Sequence, residues 1–301
     1  LYDRFVNQGA VMGDSFGLEN VLWFANNKED AHEEPTIKRS RSHDYVSKEV
    51  INVRENVGLI EVANFSKHEF KGPDARKFLD HIMAGRLPKP GRISLSPMLS
   101  YRGKLCGDLT VACLDENEFM VFGSGAAQEM HRRWFESHLD KFNLSYSNRS
   151  DEYHGLSIAG PNSRKVLEKI VRDDVSNEKF KFRDSRRMFV GGVPAIINRI
   201  SFTGELGYEI YVAPHYQLKL YEELMEAGKE FNIKPFGGRA LMSMRLEKNW
   251  GAWTLDYRPD FTAKETGLDV FINWDKEFIG KESAQKENSS NKLVPLIVET
   301  N

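Results

Sequence analysis

The chain of 301 residues repeats one order of predicted elements. Strand-like segments lead into a helix, then a hairpin, then a second helix, and the pattern returns in the second half. Period-two alternation marks the strands, and apolar residues three or four apart mark the helices. We therefore predict an α+β fold of antiparallel sheets covered by helices. The second copy reads GLSIAG, PNSRKVLEKI, MFVGGVPAIINRI, SFTGELGYEIYV and YQLKLYEELMEAG.

Charge and hydropathy narrow the class of protein. The 42 basic and 44 acidic residues leave a net charge of −2, without the basic surface that binding to phosphate backbones requires. The longest apolar run, MFVGGVPAII at 188–197, is too short to span a bilayer. We expect a soluble protein of about two domains, with neither nucleic acid nor membrane as partner.

The cysteines and histidines predict no metal site. Cys106 and Cys113 lie seven residues apart on one predicted strand and would point to opposite faces, which argues against a disulfide. Two unbridged thiols suit a reducing compartment, so we expect a cytoplasmic location, or the mitochondrial matrix in a eukaryote. His131 and His138 show no metal-ligand spacing, and we expect both at the surface of one helix.

The stretch ISFTGELGYEIYV contains the first candidate carboxylate. Tyr208, Ile210 and Val212 alternate onto one face, so Glu209 points to the other. By itself this pattern favours a solvated glutamate on the wet face of a strand. The alternative is a carboxylate directed at a ligand.

A second stretch, YRGKLCGDLTVA, places Asp108 in the middle of a strand. Alternation assigns Leu105, Leu109 and Val111 to one face, and Cys106, Asp108 and Thr110 to the other. Aspartate is depleted in strands, so Asp108 is either a solvated residue beside a glycine bulge or a carboxylate that can accept a proton.

The ordered motifs resemble the folate-binding half of dimethylglycine and sarcosine dehydrogenases, related to the aminomethyltransferase of glycine cleavage. The resemblance is strongest to the dimethylglycine dehydrogenase branch and covers nearly the whole chain. The motifs that carry it are GLIEVANFSKHEFKGPDARKFLDHI, LPKPGRISLSPMLSYRGKLCGDLTV, GLSIAGPNSRKVLEKI, SFTGELGYEIYV, GGRALMSMRLEKNWGAW and EFIGKESA.

This resemblance implies a fold and a division into domains. Residues 1–44 would connect to an absent flavin domain, 45–285 would form a folate-binding domain of two interleaved α+β subdomains, and 292–301 would begin a truncated C-terminal barrel. A ferredoxin-like subdomain is expected within the folate-binding part.

The resemblance also implies a reaction in one-carbon metabolism, within glycine and choline catabolism. A flavin oxidoreductase domain of the same longer protein, which would hold FAD, oxidises a small methylated amine. The folate-binding half captures the released carbon on tetrahydrofolate as 5,10-methylenetetrahydrofolate. Alternatives are a free-standing folate-dependent demethylase or aminomethyltransferase, and a folate-binding module without catalysis.

Matching the family motifs residue by residue gives the candidate site. Asp108 is the expected catalytic residue, because its family equivalent faces the reacting folate nitrogens. Glu209 is expected to accept the two adjacent N–H groups of the pterin. Departures are Phe202 and Leu95, which replace expected tyrosines, and Arg239, two residues from the expected arginine. The expected folate-binding residues are Glu209, Phe202, Leu95, Arg239 and Trp253.

Overall fold

The computed structural model describes residues 1–15 and 17–297. The helices are α1 (Tyr2–Asn7), α2 (Ser42–Glu55), α3 (Ala75–Ile82), α4 (Gln128–Glu136), α5 (Ser163–Ile170), α6 (Gln217–Gly228), α7 (Gly238–Glu247), α8 (Ala263–Thr266) and α9 (Lys281–Gln285). The strands are β1 (Ala10–Ser15), β2 (Leu18–Phe24), β3 (Val57–Glu61), β4 (Ser66–Lys71), β5 (Arg92–Leu99), β6 (Leu105–Asp115), β7 (Glu118–Gly123), β8 (Ser145–Asn148), β9 (His154–Ala159), β10 (Ser185–Val190), β11 (Val193–Asn198), β12 (Gly207–Val212) and β13 (Ile233–Pro235).

The described residues form two compact units that interleave along the chain. The first unit combines 1–64, 151–182 and 187–248. The second combines 65–150, 183–186 and the described residues from Asn249 on. The proposed domain boundaries at 1–44, 45–285 and 292–301 stay predictions. Of residues 292–301, expected to begin a truncated barrel, those up to 297 form no helix or strand, and 298–301 lie outside the described residues.

The first unit is built on a six-stranded sheet in the order β10-β11-β12-β9-β3-β13. Strands β11, β12, β9 and β3 pair in antiparallel succession, and β13 pairs parallel with β3. Helices α5 and α6 cover one face, because the alternating apolar residues of the strands need partners there. This core contains Leu59, Leu156, Ile158, Val166, Leu167, Tyr208, Ile210, Val212, Leu220 and Leu224.

The second unit is built on a five-stranded antiparallel sheet in the order β5-β6-β7-β4-β8. The succession β4–α3–β6–β7–α4–β8 is a ferredoxin-like βαββαβ arrangement, to which β5 adds an edge strand. Helices α3 and α4 pack on one face through residues such as Phe78, Leu79 and Phe135. The predicted α+β fold of helix-covered antiparallel sheets is therefore confirmed. No helix in the described part of the chain is long and apolar enough to cross a membrane.

Candidate functional site

Asp108 lies on β6 of the second unit, opposite Pro97 of β5. Its neighbour Leu109 packs into the core beneath α3 and α4, so alternation directs Asp108 to the opposite face. Burial raises the pKa of the Asp108 carboxyl to about 7, and a bond from its own backbone N–H offsets part of this rise. Within residues 1–15 and 17–297, no other residue donates a hydrogen bond to this carboxyl. A carboxyl that titrates near neutral pH can accept a proton during a reaction.

A β-bulge at Cys106 sets the faces of this strand. Met98 pairs with Gly107 and Leu99 pairs with Leu105, so Cys106 has no counterpart on β5. The extra residue reverses the alternation before it. Leu105 consequently packs with Leu99, and Cys106 packs against the core beneath α3 and α4. The predicted sharing of a face by Cys106 and Asp108 is wrong for this reason.

Leu95 and Trp253 belong to one apolar cluster of the second unit. Leu95 pairs with Thr110 across β5 and β6, which puts it on the face of Asp108. It is half-buried against the cluster that contains Leu105 and Trp253. Trp253 is itself only 8% exposed, so packing already accounts for its ring. The roles of Leu95 and Trp253 in folate binding stay predictions.

Glu209 lies on β12 of the first unit, between Asn198 of β11 and Ser157 of β9. It points away from the face that α5 and α6 cover, yet it is only 7% exposed. The interpretation of Glu209 as a solvated surface residue is therefore wrong. The Tyr211 hydroxyl donates a hydrogen bond of 2.9 Å to Oε2. Burial raises the pKa of the Glu209 carboxyl to about 7, and the Tyr211 bond offsets part of this rise.

Phe202 lies in the loop that precedes β12, where it is half-buried. Two glycines in and just after this loop are required by its backbone conformation and packing. Gly204 has a φ of +81°, a conformation that L side chains rarely adopt. A Cβ on Gly207 would stand 2.5 Å from Cβ of Ser201, so close packing requires this glycine. The role of Phe202 in binding stays a prediction.

Arg239 lies on α7 and makes two contacts with the N-terminal segment. Nη1 donates to the hydroxyl of Ser42 at 2.6 Å, and Nη2 pairs with Oε2 of Glu33 at 2.6 Å. The Glu33 bond ties the charged segment 27–41 to α7, and the Ser42 bond ties the start of α2 to the same helix. Arg239 thus has a structural role, and its contact with folate stays a prediction.

Comparison with known proteins identifies the family. Residues 1–276 match the family described as the GCVT N-terminal domain. The chain belongs to this family. The aminomethyltransferase of Desulfitobacterium hafniense (strain Y51) is 31% identical over 250 residues, which cover 81% of this chain and 68% of that protein. The resemblance to aminomethyltransferases is confirmed.

A longer GCVT-family relative is the mitochondrial dimethylglycine dehydrogenase of Mus musculus. It is 35% identical over 297 residues, which cover 96% of this chain and 34% of that protein. The chain thus spans about one third of the dehydrogenases that it matches. The aminomethyltransferase T structure from Bartonella henselae has a TM-score of 0.80 and 22% identity, and covers 95% of this chain and 73% of its own. This likeness confirms the fold.

Two residues of the candidate site in this GCVT-family chain were not identified from its sequence. Tyr211, the partner of Glu209, stands two residues away and therefore on the same face, a signal that alternation contained. His131, expected at the surface, is only 1% exposed because its ring packs onto the sheet beside Gly107 and Gly123. The helical pattern alone did not reveal that burial.

Proposed function

We propose that the chain transfers a one-carbon unit to tetrahydrofolate, yielding 5,10-methylenetetrahydrofolate, with Asp108 as catalytic residue and Glu209 as pterin ligand. One observation carries the proposal: Glu209 is buried, Asp108 is half-buried, and both carboxyls keep acceptor capacity. Asp108 receives a hydrogen bond only from its own backbone, and Glu209 receives one only from Tyr211, counting the described residues. Such groups can bind N–H donors of a ligand at low desolvation cost.

Glu209 is suited to hold a flat heterocycle with adjacent N–H groups. Tyr211 occupies Oε2 and orients the carboxyl, which leaves Oε1 and the remaining lone pair of Oε2 for a ligand. Donors from a pterin favour the ionised carboxyl, because hydrogen bonding to a charged group is stronger than to a neutral one. We expect binding to lower the raised pKa of Glu209.

Asp108 is suited to accept the proton that is lost when the carbon is captured. Tetrahydrofolate supplies two amine nitrogens that bond the incoming carbon. A carboxyl whose pKa is about 7 gains or loses a proton at neutral pH with little free-energy cost. Asp108 would orient an amine N–H as acceptor and then take its proton.

The carbon that the chain receives would come from another part of a longer protein. The mouse relative is named for dimethylglycine oxidation and for the mitochondrion, and this chain matches one third of it. We propose that a flavin domain with FAD, elsewhere in a longer protein, oxidises a dimethylglycine- or sarcosine-type amine. The chain described here would receive the carbon, in the mitochondrial matrix if the organism is a eukaryote.

Rates of methylenetetrahydrofolate formation from formaldehyde and tetrahydrofolate, corrected for the uncatalysed reaction, test both roles. Asp108→Asn should lower kcat by about 10²–10⁴-fold with the KM for tetrahydrofolate little changed, because it removes the proton acceptor. Glu209→Gln should raise that KM by roughly tenfold or more, because an amide offers one acceptor oxygen where the carboxylate offers two. Glu205→Gln, in the preceding loop, is the matched control and should alter neither constant. Parental kcat in Asp108→Asn would refute the catalytic role.

A further inference from the structure

Strand β6, which carries Asp108, is hydrogen-bonded to a buried histidine of the helix α4 that covers its other face. His131, on α4, has Nε2 at 2.9 Å from the carbonyl oxygen of Cys106. A carbonyl oxygen can only accept, so the hydrogen lies on Nε2. Burial lowers the pKa of His131 to about 4, so the ring is a neutral N–H donor at physiological pH. Cys106 is the bulge residue of β6, two positions before Asp108.

Two glycines make room for this ring. A Cβ on Gly107 would stand 2.8 Å from Nε2 of His131, and a Cβ on Gly123 would stand 3.2 Å from Nδ1. Both distances are tighter than ordinary carbon–nitrogen contacts. The ring of Trp253 packs nearby, with ring centroids 6.2 Å apart. The imidazole is therefore confined by the sheet and fixed in orientation.

The bulge lies immediately before the Gly107–Asp108 segment of β6. A strand slipped by one residue moves every side chain to the other face, and the bulge is the point where that register changes. Gly107, directly between Cys106 and Asp108, has the widest conformational freedom of any residue. The carbonyl of Cys106 needs an anchor if the next peptide units are to keep one geometry. His131 supplies that anchor through its hydrogen bond.

We propose that His131 is a positioning residue for Asp108: its bond to the Cys106 carbonyl fixes the bulge that holds the Asp108 carboxyl in its reactive orientation. The proposal rests on the catalytic role proposed for Asp108. His131 touches no reacting atom and acts through the backbone of β6. The competing possibility is that His131 merely satisfies a buried carbonyl and affects stability alone.

A matched pair of amide variants separates these possibilities in the formaldehyde assay. His131→Gln can place an amide nitrogen near the position of Nε2, whereas the shorter His131→Asn cannot reach the carbonyl. We expect His131→Asn to lower kcat by about tenfold to 10²-fold, the effect of misplacing a reacting group, with the KM for tetrahydrofolate unchanged. We expect His131→Gln to retain kcat within about threefold. Equal kcat in the two variants would overturn the proposal.

A double-mutant cycle then tests whether His131 acts through Asp108. On the Asp108→Asn background, His131→Asn should lower kcat by less than about twofold, because the group it positions is already gone. An undiminished loss on that background would overturn the positioning role and leave the role of Asp108 standing. Parental kcat in Asp108→Asn alone would instead refute the proposed function, so the two failures are distinguishable. Phe135→Leu, in the same core on α4, controls for stability and should lower Tm without lowering kcat.

Discussion

Glu209 shows how a single residue can carry a stability cost for function. Its carboxyl is buried at 7% exposure and receives one hydrogen bond, from Tyr211. Burial disfavours the ionised form, which raises the pKa from its ordinary 4.5 to about 7. Below its ordinary pKa the carboxyl is neutral in both the folded and unfolded states. As pH rises, the unfolded chain ionises first and the folded state loses relative stability.

Glu209→Gln should therefore stabilise the protein more at high pH than at low pH. The amide cannot ionise, so the variant avoids a penalty that grows in the parent as pH rises from about 5 to about 8. Relative to the parent, its unfolding free energy should increase over this interval by up to about 3 kcal/mol. Urea unfolding of the parent and of Glu209→Gln at both pH values measures the change. A pH-independent difference for Glu209→Gln would contradict the raised pKa.

At the scale of elements, one carboxylate joins three parts of the first unit. Glu49 of α2 accepts the backbone N–H of Phe24, at the end of β2, at 2.7 Å. It also accepts the N–H of Gly237, just before α7, at 3.0 Å. The backbones meet closely here, since a Cβ on Gly237 would stand 2.2 Å from the carbonyl oxygen of Leu22. Glu49 thus satisfies two donors that the surrounding elements leave without backbone partners.

Glu49→Leu should lower the free energy of unfolding by about 2–6 kcal/mol, because two backbone donors would lose their acceptor. Glu49→Gln keeps one acceptor oxygen and should lose roughly half as much. Urea denaturation at about pH 4 compares the three proteins, because the Glu49 carboxyl is then largely neutral in both the folded and unfolded states and its ionisation contributes little. Equal losses in the two variants would contradict the stabilising role of the acceptor oxygen that Gln retains.

At the scale of the molecule, each unit repeats one design. A sheet is covered by helices on one face and bears a partly or fully buried carboxyl on the other: Asp108 in one unit and Glu209 in the other. The chain enters each unit more than once, so neither unit is a continuous stretch of sequence. Contacts between residues distant in sequence therefore define both cores. A ligand that binds only the folded chain should stabilise it against unfolding.

Tetrahydrofolate should raise Tm in a concentration-dependent manner. A ligand at about 100 times its Kd, bound by the folded state alone, stabilises by about 2.7 kcal/mol. Thermal unfolding followed by circular dichroism measures this shift in the parent and in Asp108→Asn, where it should persist. In Glu209→Gln the same ligand concentration should give a smaller shift. If tetrahydrofolate leaves the Tm of the parent protein unchanged, the result would argue against tetrahydrofolate as the ligand.

Periodicity alone predicted most of the regular elements and the confirmed α+β class. Helices such as α4 and α6 and the inward residues of β12 follow from local pattern, because each face needs an apolar partner. The family resemblance, carried by motifs around Asp108 and Glu209, was likewise readable from sequence and is confirmed by the match over residues 1–276.

Tertiary structure alone decided burial and local register. The bulge at Cys106 depends on pairing with β5, which no local pattern specifies, so alternation misassigned Cys106 and Leu105. The burial of Glu209 between β11 and β9, and of His131 beside Gly107, likewise depends on pairing and packing between residues distant in sequence. The elements and the family were predictable because local periodicity and motifs encode them. The fold decided which carboxyls lose water, because desolvation depends on every neighbour in space.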